Sequence, residues 1–221
     1  MNTLNNKMTV TPRKLPVGIQ DFEDLRTNGY VYVDKTEYVY RLATTGKPYF
    51  LGRPQRFGKS LLVSTLKAYF LGKKELFGGL AIAGLEKEWI EYPVFHIDMS
   101  VGIITDNASL TEQLDVVLTE FEDQWSTVRH GDPAARFRKV IQQAYQQTGH
   151  KAVVLIDEYD KPLLGTMDDM AVNDDMRKTL KGFYSVLKSS DACLRFVFLT
   201  GVTKFAKVSI FSDLNQPRDI S

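Results

Sequence analysis

Residues 48–67 read PYFLGRPQRFGKSLLVSTLK, and the order of residue types in that stretch decides the fold class. A short apolar run, Tyr49-Phe50-Leu51, breaks at Gly52-Arg53-Pro54 and gives way to Gly58-Lys59-Ser60. After it Leu61, Leu62, Thr65, Leu66, Tyr69 and Phe70 recur on one face of a helix. Strand, glycine-bearing turn and helix, in that order, make a phosphate-binding loop. A glycine beside the helix start lets successive backbone N–H groups converge on one concavity, where they and the positive end of the helix dipole hold phosphate oxygens. Lys59 then reaches the β- and γ-phosphates, and the Ser60 hydroxyl takes one position on Mg²⁺. The stretch departs from G-x-x-x-x-G-K-[ST] at one point: Arg53 stands where the first glycine belongs, and Gly52 comes one residue early.

About a hundred residues later a second signal completes the first. Lys151-Ala152-Val153-Val154-Leu155-Ile156 is a continuous apolar run, as expected of a parallel strand buried on both faces, and it ends in Asp157-Glu158. A carboxylate at the C-terminal end of a central parallel strand emerges where open α/β sheets bind ligands, so Asp157 reads as a metal-side residue acting through water. Glu158 is then placed to orient and deprotonate an attacking water. The competing structural reading has Asp157 capping a turn and Glu158 in solvent. Combined with the glycine-lysine-serine helix, the catalytic reading is preferred.

Five strings carry a wider likeness: LPVGIQDF, YVYVDKTEYV, YFLGRPQRFGKSLLVSTLKAYF, VVLIDEYDKPLL and FVFLTGVTKFAKVSIFSDLN. Together they resemble the AAA-ATPase-like family of bacterial proteins, over roughly Leu15 to Ser221. The resemblance implies a P-loop ATPase domain, ATP and Mg²⁺ as cofactors, a frequent C-terminal nuclease-like domain outside this chain, and possible homo-oligomers. In that family the loop usually reads RPRRFGKS, so the displaced glycine is a family trait and Gln55 replaces an arginine. The implied binding set is Arg53, Arg56, Gly58, Lys59, Ser60 and Leu61, with Ser60 and Asp157 on the metal and Glu158 and Thr200 in catalysis. The resemblance also implies a further sheet strand, a lid and an attached domain beyond this stretch. No further strand is legible after Lys204, so the chain reads as an N-terminal part.

Composition bounds the alternatives. The 221 residues carry 43% hydrophobic and 25% charged residues, with a formal net charge of +1, which fits one globular α/β domain and gives no global attraction to nucleic acid or anionic membrane. The single cysteine, Cys193, excludes an internal disulfide, and no Cys/His cluster has zinc spacing. No run approaches the length of a membrane span and MNTLNNKMTV lacks a signal-peptide core, so a cytoplasmic location is expected by default.

Around the two motifs the pattern places the other elements. Residues 1–14 read as a mobile polar tail and 15–221 as the ATPase-like domain. A helical turn capped by Gln20 or Asp21, a short strand over Tyr30 to Val33, and a helix capped by Thr36 or Asp34 form an N-terminal arm, which either packs on the core or supplies an adenine contact. Pro93 to Met99 reads as a strand, with His96 as a core or edge histidine and Asp98 at the site rim. Leu110 to Trp125 and a helix begun by Asp132-Pro133 serve as crossovers. Arg129, Arg136, Arg138 and Lys139 read as a solvated face, with a trans-acting arginine as the sharper alternative. Asp160-Lys161-Pro162 marks a turn, and Asp168, Asp169, Asp174 and Asp175 a surface loop before the helix of Met176 to Leu187. Leu194 to Leu199 is a buried strand ending at Thr200, whose hydroxyl either senses the γ-phosphate or bonds backbone at the turn.

The expectation is therefore a doubly wound parallel sheet of the P-loop NTPase kind, of the ASCE/AAA-like group, ending before the lid. The expected activity is Mg²⁺-dependent ATP hydrolysis driving an attached or partner domain. A nucleotide-binding module without turnover and a P-loop small-molecule kinase are the alternatives. Nuclease chemistry finds no Asp…(Glu/Asp)-x-Lys arrangement outside the ATPase residues.

Overall fold

A computed structural model describes residues 14–46, 48–202 and 217–221. The tail expected over residues 1–14 falls almost wholly outside the described residues, as do Thr203, Lys204 and most of the polar stretch after them. Lys14 is described, and pairs with Tyr30 as an isolated parallel bridge.

The chain runs α1 (Phe22–Thr27), α2 (Thr36–Thr45), β1 (Tyr49–Gly52), α3 (Lys59–Phe70), α4 (Ala81–Leu85), β2 (Val94–Asp98), α5 (Asn107–Trp125) and α6 (Pro133–Thr148). It continues with β3 (Ala152–Asp157), α7 (Lys161–Leu164), α8 (Met170–Tyr184), α9 (Val186–Ser189), β4 (Leu194–Gly201) and β5 (Arg218–Asp219). The five strands form one sheet in the order β2-β3-β4-β1-β5, and every pairing is parallel. Parallel neighbours need crossovers, and the connections from β1 to β2, β2 to β3 and β3 to β4 are helical.

Alternation along the strands divides the core in two. Phe50, Phe95, Ile97, Val154, Ile156, Val197 and Leu199 point to the layer built by α5, α6 and α8. Tyr49, Val153, Leu155, Phe196 and Phe198 point to the layer built by α1, α2 and α3. Both faces are thus covered by helices, as the near-continuous apolar runs of β3 and β4 require. The same parity puts Asp157 and Thr200, at the ends of β3 and β4, on the α3 side of the sheet.

Local chemistry fixes the helix starts. The carboxylates of Asp21, Asp106, Asp132 and Asp169 each accept a backbone N–H in the first turn of α1, α5, α6 and α8. Asp34 serves α2 in the same way, accepting from the Thr36 N–H at 2.9 Å and from the Thr36 hydroxyl at 2.7 Å. Helix α3 is the exception among these: it begins on Gly58, which has no side chain to cap with.

Four sequence expectations need correction. Tyr30 to Val33 is not a strand: alternation alone supplies no partner, beyond the Lys14 bridge its backbone pairs with no strand among the described residues, and Val33 is 72% exposed. Asp174 and Asp175 lie inside α8, because Asp169 receives the Ala171 and Val172 N–H groups and starts the helix at Met170. Asp160-Lys161-Pro162 leads into the short helix α7, with Pro162 in its first turn, where a missing N–H costs nothing. A further strand does follow Lys204: β5 pairs in parallel with β1, Tyr49 opposite Arg218 and Phe50 opposite Asp219. At two residues, Arg218-Asp219 is too short to show a period.

Candidate functional site

Strand register brings the two motifs together. Strand β4 lies between β1 and β3, with Leu51 opposite Thr200, Gly52 opposite Gly201, and Ile156 opposite Leu199. The loop after β1 therefore leaves the sheet level with the carboxylate end of β3, two strand spacings or about 10 Å across. The Arg53 N–H donates to the Gly201 carbonyl at 3.1 Å, which ties the start of the loop to the end of β4.

In the loop itself Arg56 and Gly58 both adopt left-handed backbone, φ 65° and 73°. Gly58 suits this conformation; Arg56 holds it against its Cβ, and such strain tends to gather at functional sites. Lys59 is buried at 4% exposure, and its Nζ donates to the carbonyls of Arg53 (3.0 Å) and Pro54 (3.1 Å) within the loop. Ser60 and Leu61 follow in the first turn of α3, both half-buried, while Arg53 and Arg56 are exposed. The first-turn N–H groups of an uncapped helix have no intrahelical acceptor, so this end of α3 presents donors and a positive dipole together.

On the opposite side of the opening, Asp157 is 3% exposed and Thr200 fully buried. The Thr200 hydroxyl donates to the Asp157 carboxylate and accepts the Glu158 backbone N–H at 3.1 Å. One hydroxyl thus positions both acidic residues. Of the two sequence readings of Thr200, the backbone bond is present, and the bond to Asp157 was foreseen by neither. Glu158 is half-buried with φ 52°, a second strained residue at this opening.

Two residues beside this pair carry no site role in the sequence reading, which gives Asp160 only a turn. Tyr159 and Asp160 are buried, the Tyr159 N–H donates to the Thr200 carbonyl at 2.9 Å, and both Asp160 carboxylate oxygens accept from the Val202 N–H at 3.2 and 3.1 Å. They lock the ends of β3 and β4 to each other. Gly201 permits this closeness: a Cβ there would lie 2.4 Å from the Tyr159 ring. The signal available in sequence was the Tyr-Asp pair directly after Asp157-Glu158, in one of the strings that carry the family likeness.

Other candidates fall away from the opening. Arg136 is not on a solvated face and is not a free finger: it bonds Glu122 at 2.8 Å and Asp115 at 2.5 Å, and is 8% exposed. These bonds hold its guanidinium firmly protonated. Arg129 pairs with Asp123. Asp98 accepts the Ser100 N–H at 2.8 Å. His96 points to the α3 side of β2 with Nε2 lacking a hydrogen bond among the described residues; burial lowers its pKa, with Lys67 acting in the same direction. Cys193 is half-buried. The arm packs through Asp21 and Phe22, which both bond the Ser64 hydroxyl of α3.

Among the described residues no group of three or more His, Cys, Asp or Glu could hold a metal by itself. Mg²⁺ does not need one, since it keeps several waters and takes few protein oxygens. A Ser60 hydroxyl in the first turn of the uncapped α3 and an Asp157 carboxylate at the end of β3 are donors of the fitting kind.

A family model described as predicted AAA-ATPase matches residues 16–211. The chain belongs to the AAA-ATPase-like family. Membership places it among proteins of predicted nucleotide binding and ATPase activity, in agreement with an α/β fold built on one all-parallel five-stranded sheet. This AAA-ATPase-like chain is also 42% identical over 211 residues to an uncharacterised protein in the vnfD 5′ region of Azotobacter chroococcum mcd 1. The match covers 95% of this chain and 41% of that relative. No helix among the described residues is long and apolar enough to cross a membrane.

Proposed function

We propose that this domain binds ATP with Mg²⁺ and hydrolyses the β–γ phosphoanhydride bond, the turnover acting as a switch for an attached or partner domain. The observation that carries the reading is the register that sets the uncapped start of α3 level with the Asp157–Thr200–Glu158 cluster. The β4 strand between loop strand and acidic strand is the order of the ASCE group, which supports that finer assignment.

Phosphoryl transfer to water needs positioning and charge neutralisation more than covalent chemistry. The N–H groups of Gly58 to Leu61 hold phosphate oxygens, and Lys59 Nζ moves from the Arg53 and Pro54 carbonyls to the β- and γ-phosphates. Arg53 and Arg56 add positive charge at the loop. Ser60 and Asp157 hold the metal, which when bound draws charge from the phosphate oxygens. Glu158 orients the attacking water and takes its proton, while Thr200 keeps Asp157 and Glu158 in register and lies within reach of the γ-phosphate side. The N-terminal arm, packed along α3, is the adenine-side wall. Residues 15–221 form an ATPase domain of a cytoplasmic protein whose attached domain, nuclease-like by resemblance, or homo-oligomeric partner delivers the output.

The test is Glu158→Gln in a phosphate-release assay paired with an ATP-binding measurement. A positioned base contributes about 10²- to 10⁴-fold, while affinity owes little to a group that touches only the attacking water. Loss of turnover with ATP affinity kept or slightly tightened is expected. Wild-type protein that binds ATP and releases no phosphate above the Glu158→Gln background contradicts hydrolysis and leaves a binding module.

A further inference from the structure

Four large apolar side chains stand exposed on two adjoining segments: Val101 (54%), Ile103 (87%), Met167 (67%) and Met170 (78%). The first two lie between β2 and α5, the others between α7 and the first residue of α8. The segments leave neighbouring strands, since β2 and β3 pair up to Asp98 and Asp157, and the Met99 N–H donates to the Asp157 carbonyl at 3.0 Å. They meet again further out, where a Cβ on Gly165 would sit 3.6 Å from the Ile104 carbonyl oxygen. The helices that follow are joined as well, Thr179 donating to the Asn107 side chain at 2.6 Å.

These segments bury apolar groups where they can. Met99 and Leu163 are 1% and 3% exposed, and Ile104 and Val172 pack against the same core. The four exposed side chains are what remains outside, on two segments that approach each other at Gly165 and Ile104, and apolar side chains exposed on adjoining segments mark an interaction site where scattered single residues do not. Both segments are pinned at their ends. Asp98 holds the Ser100 N–H, Asp106 caps α5 through Ser109, and Asp169 caps α8, so the surface is largely pre-organised.

Charge selects the partner. Apart from the buried Asp157 and Asp160, segments 98–106 and 157–175 carry seven carboxylates (Asp98, Asp106, Glu158, Asp168, Asp169, Asp174 and Asp175) against Lys161, with Arg177 of α8 beside Asp174, in a chain whose net charge is +1. Such a surface repels nucleic acid and anionic lipid and attracts cations. Methionine adapts its shape to different anchors, so the fit is set by apolar content and charge more than by one sequence.

We propose that this surface docks a basic polypeptide segment carrying large apolar anchors among lysines or arginines. The proposal stands whether or not the chain hydrolyses ATP. The test is fluorescence anisotropy, without nucleotide, using a labelled synthetic peptide with leucines at helical spacing and lysines elsewhere. Controls are the same peptide with glutamate for lysine and with serine for leucine. The wild-type chain should bind the leucine-lysine peptide and neither control. Ile103→Ser with Met167→Ser should weaken binding about tenfold or more, as expected when two anchors lose their apolar contact. Asp168→Asn with Asp175→Asn should weaken it several-fold and flatten its salt dependence. Val128→Ser, an exposed apolar residue beyond the far end of α5, should change nothing. No binding of the leucine-lysine peptide, equal binding of the glutamate peptide, or equal binding by the Ile103→Ser/Met167→Ser protein overturns the proposal.

Discussion

Two groups of buried charge lie on opposite faces of the sheet, and they are satisfied in opposite ways. Between α5 and α6, Glu122 is 1% exposed and meets the Arg136 guanidinium in a two-point ion pair, with Asp115 on a third nitrogen. At the end of β3, Asp157 is buried almost as deeply, yet its described partner is the neutral hydroxyl of Thr200, and no salt bridge reaches it among the described residues. The first group is complete within the fold. The second keeps a negative charge whose natural complement is a cation, beside a helix start whose natural complement is an anion. A saturated charge cluster belongs to the structure, whereas a buried carboxylate that meets no cation among the described residues, beside an uncapped helix start, is where the charges of a ligand would fit.

The largest expected effect breaks the complete cluster. Arg136→Ala leaves the buried Glu122 carboxylate only the exposed Arg129, 3.9 Å away, and removing one partner of a buried pair costs about 3–5 kcal/mol. Urea unfolding should show that loss, while ATP affinity of the folded protein stays unchanged; a small stability change would mean that Glu122 finds water or another donor.

Next comes the loop. Lys59→Ala removes a charge-assisted contact worth roughly 2–3 kcal/mol, so ATP affinity should fall about 30- to 150-fold with little change in unfolding midpoint. Unchanged affinity in this variant would remove Lys59 from the phosphates.

The smallest effect has the opposite sign from the first. Asp157→Asn deletes a buried charge that meets no cation among the described residues but keeps an oxygen for the Thr200 hydroxyl, so stability should hold or rise by up to about 1 kcal/mol in urea titration. A loss as large as that of Arg136→Ala would make Asp157 a structural residue and erase the contrast.

Much of this contrast was legible before any coordinates. Gly58-Lys59-Ser60 between an apolar run and a helical pattern announced the loop, and an unbroken apolar run ending in Asp157-Glu158 announced the acidic strand, because both signals are local. What stayed hidden depends on contacts between distant residues. Thr200 is 43 residues from Asp157, and their bond follows from strand register, which sequence spacing does not encode. Arg136 looked like one of four surface cations because its partners, Glu122 and Asp115, sit on the preceding helix and enter reach only when α5 and α6 pack. The same limit hid β5, whose two residues make sense only beside β1.

We propose that Asp157 and the start of α3 form one Mg²⁺–nucleotide site. Calorimetric titration of wild type and Asp157→Asn with ATP, each with and without Mg²⁺, tests it most directly. Mg²⁺ should tighten ATP binding in the wild type, this gain should disappear in Asp157→Asn, and the two proteins should bind metal-free ATP alike. An equal loss of affinity with and without Mg²⁺, or a Mg²⁺ gain that survives the substitution, would contradict it.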